Sequence, residues 1–164
     1  GLIVNFLRLY YSGKKPGPIR AFLLLAELGL SNIFGTSLIR GVVKPFEADI
    51  DCDGERVPFR AFTMMLASTV AHIGLGVKPF YLSARKRGYF HLLAGPASAT
   101  QLLGRLARFF RGFPANLEQL HDTMAREVTI EFAEPTAYTI NGELLDPVRV
   151  LKLGVGPRVS FISG

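Results

Sequence analysis

The sequence predicts a β-rich α+β domain, an antiparallel β-sandwich-like arrangement with two or three helices at its side. Three observations carry that prediction. Two tight-turn dipeptides, Asp53-Gly54 and Asn141-Gly142, each join runs of strand character, the pattern of a two-residue hairpin. One long stretch, 98–113, carries an apolar stripe at helical spacing. No strand–helix–strand unit with a glycine-rich dinucleotide fingerprint occurs, so nothing asks for a parallel sheet.

In chain order, 2–11 is apolar and suits either a helix or a strand. Residues 12–18 form a Gly/Pro/Lys connection, and Pro18 fits the first turn of a helix, where a missing N–H costs nothing. Ile19, Phe22, Leu23 and Ala26 follow at helical spacing, and Gly29 ends the element. From Phe46 the period becomes two: Phe46, Ala48, Ile50 and Cys52 alternate with Glu47, Asp49 and Asp51, a strand with one wet face. Beyond the Asp53-Gly54 turn, Val57 to Val70 is apolar on both faces and predicts one central strand buried on both sides. In the helix over 98–113, Leu102, Leu103, Leu106, Phe109, Phe110 and Phe113 share a stripe, with Gln101, Arg105, Arg108 and Arg111 off it. Val128, Ile130 and Phe132 then face one way and Thr129 and Glu131 the other. Residues 136–140 run into Asn141-Gly142, and strands over 148–153 and 158–163 complete the set. No internal repeat or low-complexity tract appears.

A chain of 164 residues can bury most of its unfolded surface in one domain. Its net charge of +6 favours anionic partners such as phosphate, nucleotide or acidic lipid. Cys52 is the lone cysteine, which excludes an internal disulfide and a cysteine metal cluster and points to a reducing, cytoplasmic compartment. Gly1 opens directly into apolar sequence without the marks of a secretory signal, so the start is expected to be a boundary within a longer protein. The longest apolar run, Ala21 to Ala26, is far too short to span a bilayer, and a soluble piece is expected.

The common enzyme motifs are absent: no G-x-x-x-x-G-K-[ST], no H-E-x-x-H, no G-x-S-x-G. His72, His91 and His121 lack metal-ligand spacing and read as core or surface histidines. Gly74 and Gly76 are the candidates for a nucleotide contact, although a lone Gly-x-Gly is more often a loop. Two basic clusters stand out. Lys78, Arg85, Lys86 and Arg87 interleave with Phe80, Tyr81, Tyr89 and Phe90, and Arg105 and Arg108 sit on the polar side of the helix. Rings that embed beside cations that attract headgroups suit an anionic membrane surface. The same charge also fits an ordinary solvated face. No nucleic-acid reader motif accompanies it, and no nucleic-acid partner is expected.

The succession becomes specific at the second hairpin. VTIEF (128–132), YTINGE (138–143), then VRV (148–150) and RVSFI (158–162) follow one another. Upstream come the Asp53-Gly54 hairpin, the small-residue loop from Ala67 to Gly76, the Pro79 to Ala84 segment, a strand and the amphipathic helix. From about Pro18 onward this order resembles the C-terminal domain of the bacterial diacylglycerol kinase-like and sphingosine kinase-like lipid kinases. The resemblance implies a β-sandwich-like domain over 18–164, with 1–17 as an N-terminal segment or a connection to a missing nucleotide-binding domain. It implies that the whole protein is an ATP- and magnesium-dependent kinase of a diacylglycerol- or sphingoid-like hydroxyl. Such a protein would work at the cytoplasmic membrane surface in phospholipid metabolism; a homodimer is compatible with it. This chain alone is expected to be inactive and to hold neither cofactor tightly.

The family's Asp-Gly-Glu turn appears here as Asn141-Gly142-Glu143. Glu143 is therefore the implied base or metal-side carboxylate, while Asn141 can orient a hydroxyl but cannot take its proton. By turn chemistry alone, Asn-Gly is an ordinary type I′ turn and Glu143 a solvent-facing strand residue. A family Asp-Gly is likewise replaced by Arg87-Gly88, and Pro79-Phe80-Tyr81 makes that loop bulkier. The other reading is a non-catalytic module that binds anionic lipid or a protein through these basic clusters.

Overall fold

The alternating run forms β1 (Phe46–Cys52), with Ala48, Ile50 and Cys52 buried and Glu47 exposed. The computed structural model describes Val4, Asn5, Arg8 and residues 44–73, 76–83 and 85–156. Val4, Asn5 and Arg8 are helical; the expected helix over 18–29 and the last strand over 158–163 lie outside the described residues. Asp53 (φ 53°) and Gly54 (φ 89°) supply the two positive angles of a type I′ turn into β2 (Glu55–Arg56). The Asp53 carboxylate then accepts the backbone N–H groups of Arg126 (3.0 Å) and Glu127 (2.7 Å), tying this turn to a distant strand junction.

The single central strand expected from Val57 to Val70 does not form. The segment breaks into β2, β3 (Ala61–Phe62) and β4 (Met64–Ser68). β2 and β3 flank opposite ends of β1 on the same edge, and Pro58, which has no N–H to give a ladder, falls in the gap between them. Between Phe62 and Met64 the chain leaves one sheet for the other, and the Thr63 hydroxyl donates to the Ala97 carbonyl at 2.6 Å. β4 is then an edge strand. The doubly buried strand is instead β5 (Phe90–Gly95), all six of whose residues are buried.

A five-stranded sheet runs β2-β1-β7-β8 with β3 also on β1, and a three-stranded sheet runs β4-β5-β6. Here β6 is His121–Ala125, β7 Glu127–Ile140 and β8 Glu143–Gly154, and every pairing is antiparallel. Ile50, Val128, Ile130 and Phe132 of the larger sheet pack on Phe90, Leu92, Ala94 and Ala125 of the smaller one. Each large apolar side chain so buried contributes roughly 1.5–3 kcal/mol. The second core lies on the other face of β5, where Leu93, Met64 and Leu120 meet Phe80, Phe109 and Ala115.

The expected single helix is two short ones, α1 (Ala99–Gly104) and α2 (Leu106–Arg111). Ser98 and Gln101 form a capping box at its start. The break falls at Arg105 (φ −103°, ψ 2°), directly after Gly104, the weakest helix former in the run. The kink turns the end of the apolar stripe outward. Phe109 stays buried, while Phe110 and Phe113 are exposed.

Cys52 is buried, and its thiol is pushed up to about 11, first by burial and then by Asp53, Asp51 and Glu55. Because the thiolate is the nucleophile, native protein at pH 8 is expected to resist iodoacetamide and to react fully once unfolded. Rapid stoichiometric labelling of the native chain, followed by mass spectrometry, would contradict this.

Candidate functional site: a projecting arm and a basic cleft

β1 pairs with β7 only over Val128 to Phe132. Beyond that point β7 continues alone with β8 as a two-stranded arm, bent by register shifts between Glu131 and Tyr138. At its tip Asn141 (φ 52°) and Gly142 (φ 87°) make the expected type I′ turn, and Asn141 and Glu143 are both exposed. Asparagine tolerates the left-handed region better than most residues, so the turn alone accounts for its presence there.

The basic loop lies elsewhere. Lys86 and Arg87 line a cleft of about 410 Å³ with Gly88, Tyr89, Thr69 and Ser83, and Val155 stands beside them. Val155 follows the end of β8, whereas Glu143 begins that 12-residue strand. At about 3.3 Å per residue the two places are on the order of 40 Å apart along the strand. The fold therefore does not bring Glu143 to the cations.

Of the other sequence candidates, Arg85 is exposed beside Lys86, and Lys78 is partly buried, its N–H donating to the Phe109 carbonyl at 2.9 Å. Arg105 stands at the helix break, where its backbone but not its side chain makes the cap bonds, and Arg108 donates from Nε to the Pro114 carbonyl at 2.6 Å, so Arg108 is tied to the fold rather than free on an arginine face. Gly76 (φ 77°) packs near the Phe110 ring, and Gly74 lies outside the described residues.

Two features escaped the sequence reading. Arg126 lies over the Tyr89 ring at 5.1 Å, joining Lys86 Nζ at 3.6 Å from the ring centroid. It arrives there because Phe90 pairs with Ala125 across β5 and β6, a register no local pattern reveals. The second feature is a buried polar network beneath the loop. The Leu82 N–H approaches His91 Nδ1 (3.4 Å), which leaves Nε2 to donate to Asp122 Oδ1 at 2.7 Å. Tyr81 Oη donates to Asp122 Oδ2 at 3.1 Å. Its phenol is pushed up to about 12, first by burial and then by the Asp122 charge and hydrogen bond, with Arg85 opposing. His91 has no exposed surface, so this network holds the loop's base rather than meeting a ligand.

His72 is exposed. His121 is half-buried, and burial pushes its imidazole below its ordinary range, against the pull of Asp122 and Glu55. Its Nε2 is buried without a hydrogen-bond partner among the described residues. Nor do those residues contain a group of three or more His, Cys, Asp or Glu side chains able to hold a metal ion. No helix among them is long and apolar enough to cross a membrane.

No family model matches the chain, and no curated protein matches it in sequence. Among solved structures it is similar to a diacylglycerol kinase from Bacillus anthracis str. Sterne. That match has 13% identity and a TM-score of 0.50, over 77% of this chain and 44% of that one. A second structure from the same strain, with a provisional diacylglycerol kinase name, matches at 15% identity and a TM-score of 0.50. It covers 76% of this chain and 42% of the other. The chain thus spans less than half the length of either structure. At this identity the likeness establishes a shared fold, the one expected from the order of hairpins, loop and helix.

Proposed function

We propose, with the fold shared with bacterial diacylglycerol kinases as the premise, that this chain is the lipid-substrate half of a lipid kinase. The whole protein would transfer the γ-phosphoryl group of ATP to a diacylglycerol- or sphingoid-like hydroxyl at a membrane surface. The observation that carries the reading is a shared fold whose two-stranded arm holds Asn141 and Glu143 out beyond the sandwich.

Phosphoryl transfer needs the attacking hydroxyl oriented and its proton accepted. Glu143 is assigned the proton, and Asn141 orients the hydroxyl through its amide. Magnesium and ATP, when bound, neutralise and supply the transferred group; the lone carboxylate Glu143 does not make a magnesium site by itself. The nucleotide would be held by a further domain, and without one this chain is expected to transfer nothing. Lys78, Arg85, Lys86 and Arg87 would draw the protein to anionic lipid, each by about 1 kcal/mol near the surface.

The test is transfer from labelled ATP to a total lipid extract by the full-length protein. Glu143→Gln is expected to lower kcat about a hundredfold with ATP binding unchanged, and Asn141→Asp to preserve the turn and raise the rate. Undiminished labelling by Glu143→Gln removes that residue from the chemistry. If neither wild type nor Asn141→Asp labels lipid while ATP still binds, the kinase reading fails. The non-catalytic lipid- or protein-binding module then stands, a reading favoured by the one observation that Asn141 cannot accept a proton.

A further inference from the structure

We propose that the cleft between the basic loop and the end of β8 binds a phosphate monoester dianion, at a site separate from the Glu143 arm. Lys86 and Arg87 are exposed at this cleft, none of its lining residues is acidic, and neither cation is ion-paired among the described residues. Arg56 and Arg60, by contrast, share Asp49 at 3.9 and 3.6 Å. With no carboxylate lining the cleft, its two cations are free to meet an external anion.

Lys86 is also held in place. Lys86 Nζ rests 3.6 Å from the Tyr89 ring centroid, with Arg126 at 5.1 Å over the same ring, so positive charge is concentrated before any ligand arrives. Ordering these long side chains in advance lowers the entropic cost of binding. Ser83, only 8% exposed, lines the cleft; its N–H donates to the Phe80 carbonyl at 3.1 Å, and its hydroxyl has no hydrogen-bond partner among the described residues. Thr69 adds a second hydroxyl. Beneath Ser83 the chain is fastened by the Tyr81–Asp122 and Leu82–His91 contacts, which fix where that hydroxyl sits.

The chemistry selects within phosphates. A monoester carries up to two charges and three terminal oxygens, matching two cations and two hydroxyls. A diester offers one charge and two such oxygens. A volume near 410 Å³ admits a phosphate with a small organic group and has no room for a pair of acyl chains. The ligand is therefore a small phosphorylated metabolite or the headgroup of a phosphomonoester lipid whose chains stay outside. The separation from Glu143 means that this phosphate is not the one transferred. The inference does not depend on the kinase reading, and lipid phosphorylation is scored in a separate assay, so either can fail alone.

Calorimetric titration of the full-length protein with glycerol 3-phosphate, inorganic phosphate and dimethyl phosphate tests it. The two monoanion-to-dianion ligands are expected to bind at least tenfold more tightly than the diester. Lys86→Ser/Arg87→Ser is expected to weaken them about tenfold or more, while Lys86→Arg/Arg87→Lys and the distant Arg56→Ser retain binding. Both cations are exposed, so circular dichroism of the serine variant should match wild type. Vesicles containing phosphatidic acid, compared with phosphatidylglycerol at equal surface charge, separate the two sources. Preference for phosphatidic acid, competed by glycerol 3-phosphate, assigns the site to a lipid headgroup; soluble binding without that preference assigns it to a metabolite. If the soluble monoesters give no heat and both vesicles bind alike, the proposal is overturned and the loop is only a general basic surface.

Discussion

Gly95→Ala is expected to lower the free energy of unfolding by about 3 kcal/mol or more, a large share of the roughly 5–15 kcal/mol typical of a domain. Gly95 ends β5 on its helix-facing side, where the segment leading into β6 crosses it. A Cβ there would overlap the Gln119 carbonyl oxygen and come within 3.1 Å of the Gln119 carbonyl carbon and of Leu120 Cα. These obstacles are backbone, so no side-chain rotation relieves them. The same carbonyl edge is already committed, since Gly95 O accepts the Thr63 N–H at 3.1 Å. Moving the strand would therefore disturb the crossing between the two sheets. Gly104→Ala is the matched control: its Cβ meets nothing within 4 Å, and alanine favours helix over glycine by about 0.5–1 kcal/mol. Urea unfolding of both variants decides the point. A Gly95→Ala midpoint close to wild type would mean that the 115–120 segment yields easily and does not define the core.

Asp122→Ala is expected to destabilise by about 2–3 kcal/mol, because it strands a fully buried His91 donor and the Tyr81 hydroxyl at once. Asp122→Asn keeps an acceptor for His91 and should cost about 1 kcal/mol or less. Tyr81→Phe removes one bond at the partly exposed end and should fall between about 0.5 and 1.5 kcal/mol. A cycle over Tyr81 and Asp122 reads their coupling directly. The pH dependence has a definite sign. The folded Tyr81 pKa, about 12, lies above the unperturbed 10.0, so the folded state holds this proton more tightly. That contribution is fully present below pH 10 and is lost as pH rises through about 12. Since burial is the largest cause and Asp122 only the next, Asp122→Asn should leave Tyr81 above 10.0, though lower than wild type. Ultraviolet titration of tyrosinate measures this. A Tyr81 that returns fully to 10.0 in Asp122→Asn would show that the carboxylate, not burial, controls it.

Both effects arise at contacts that no single stretch of sequence announces. Nothing in the local pattern marks Gly95; its need to be glycine comes from a segment some 25 residues later that crosses above it. By its spacing His91 reads as a core or surface histidine; it is a core one, but its partner Asp122 is reached only through the Leu93–Asp122 register. The first break of the 57–70 run has a local cause in Pro58, but the second, at Thr63, comes only from the crossing between the two sheets. Burial on both faces marks a central strand only when a second neighbour exists, and that neighbour was given to β5 instead.

What the sequence determined by itself is what local chemistry governs. Period-two alternation placed β1 and the start of β7, the Asp53-Gly54 and Asn141-Gly142 dipeptides placed both hairpins, and Ser98 with Gln101 placed the helix start. From these the β-rich α+β class follows. The tertiary structure alone decided which strand is buried twice and where the helix stripe turns outward. It alone set the arm tip and the basic loop at opposite ends of β8, on the order of 40 Å apart along the strand, and gathered Thr69, Ser83 and Lys86 beside Val155 in one cleft. The reason is range: turn and periodicity signals act over a few residues, whereas the cleft and the polar network depend on pairings between strands tens of residues apart. Those pairings are chosen by burial of the whole sheet, which no local window contains.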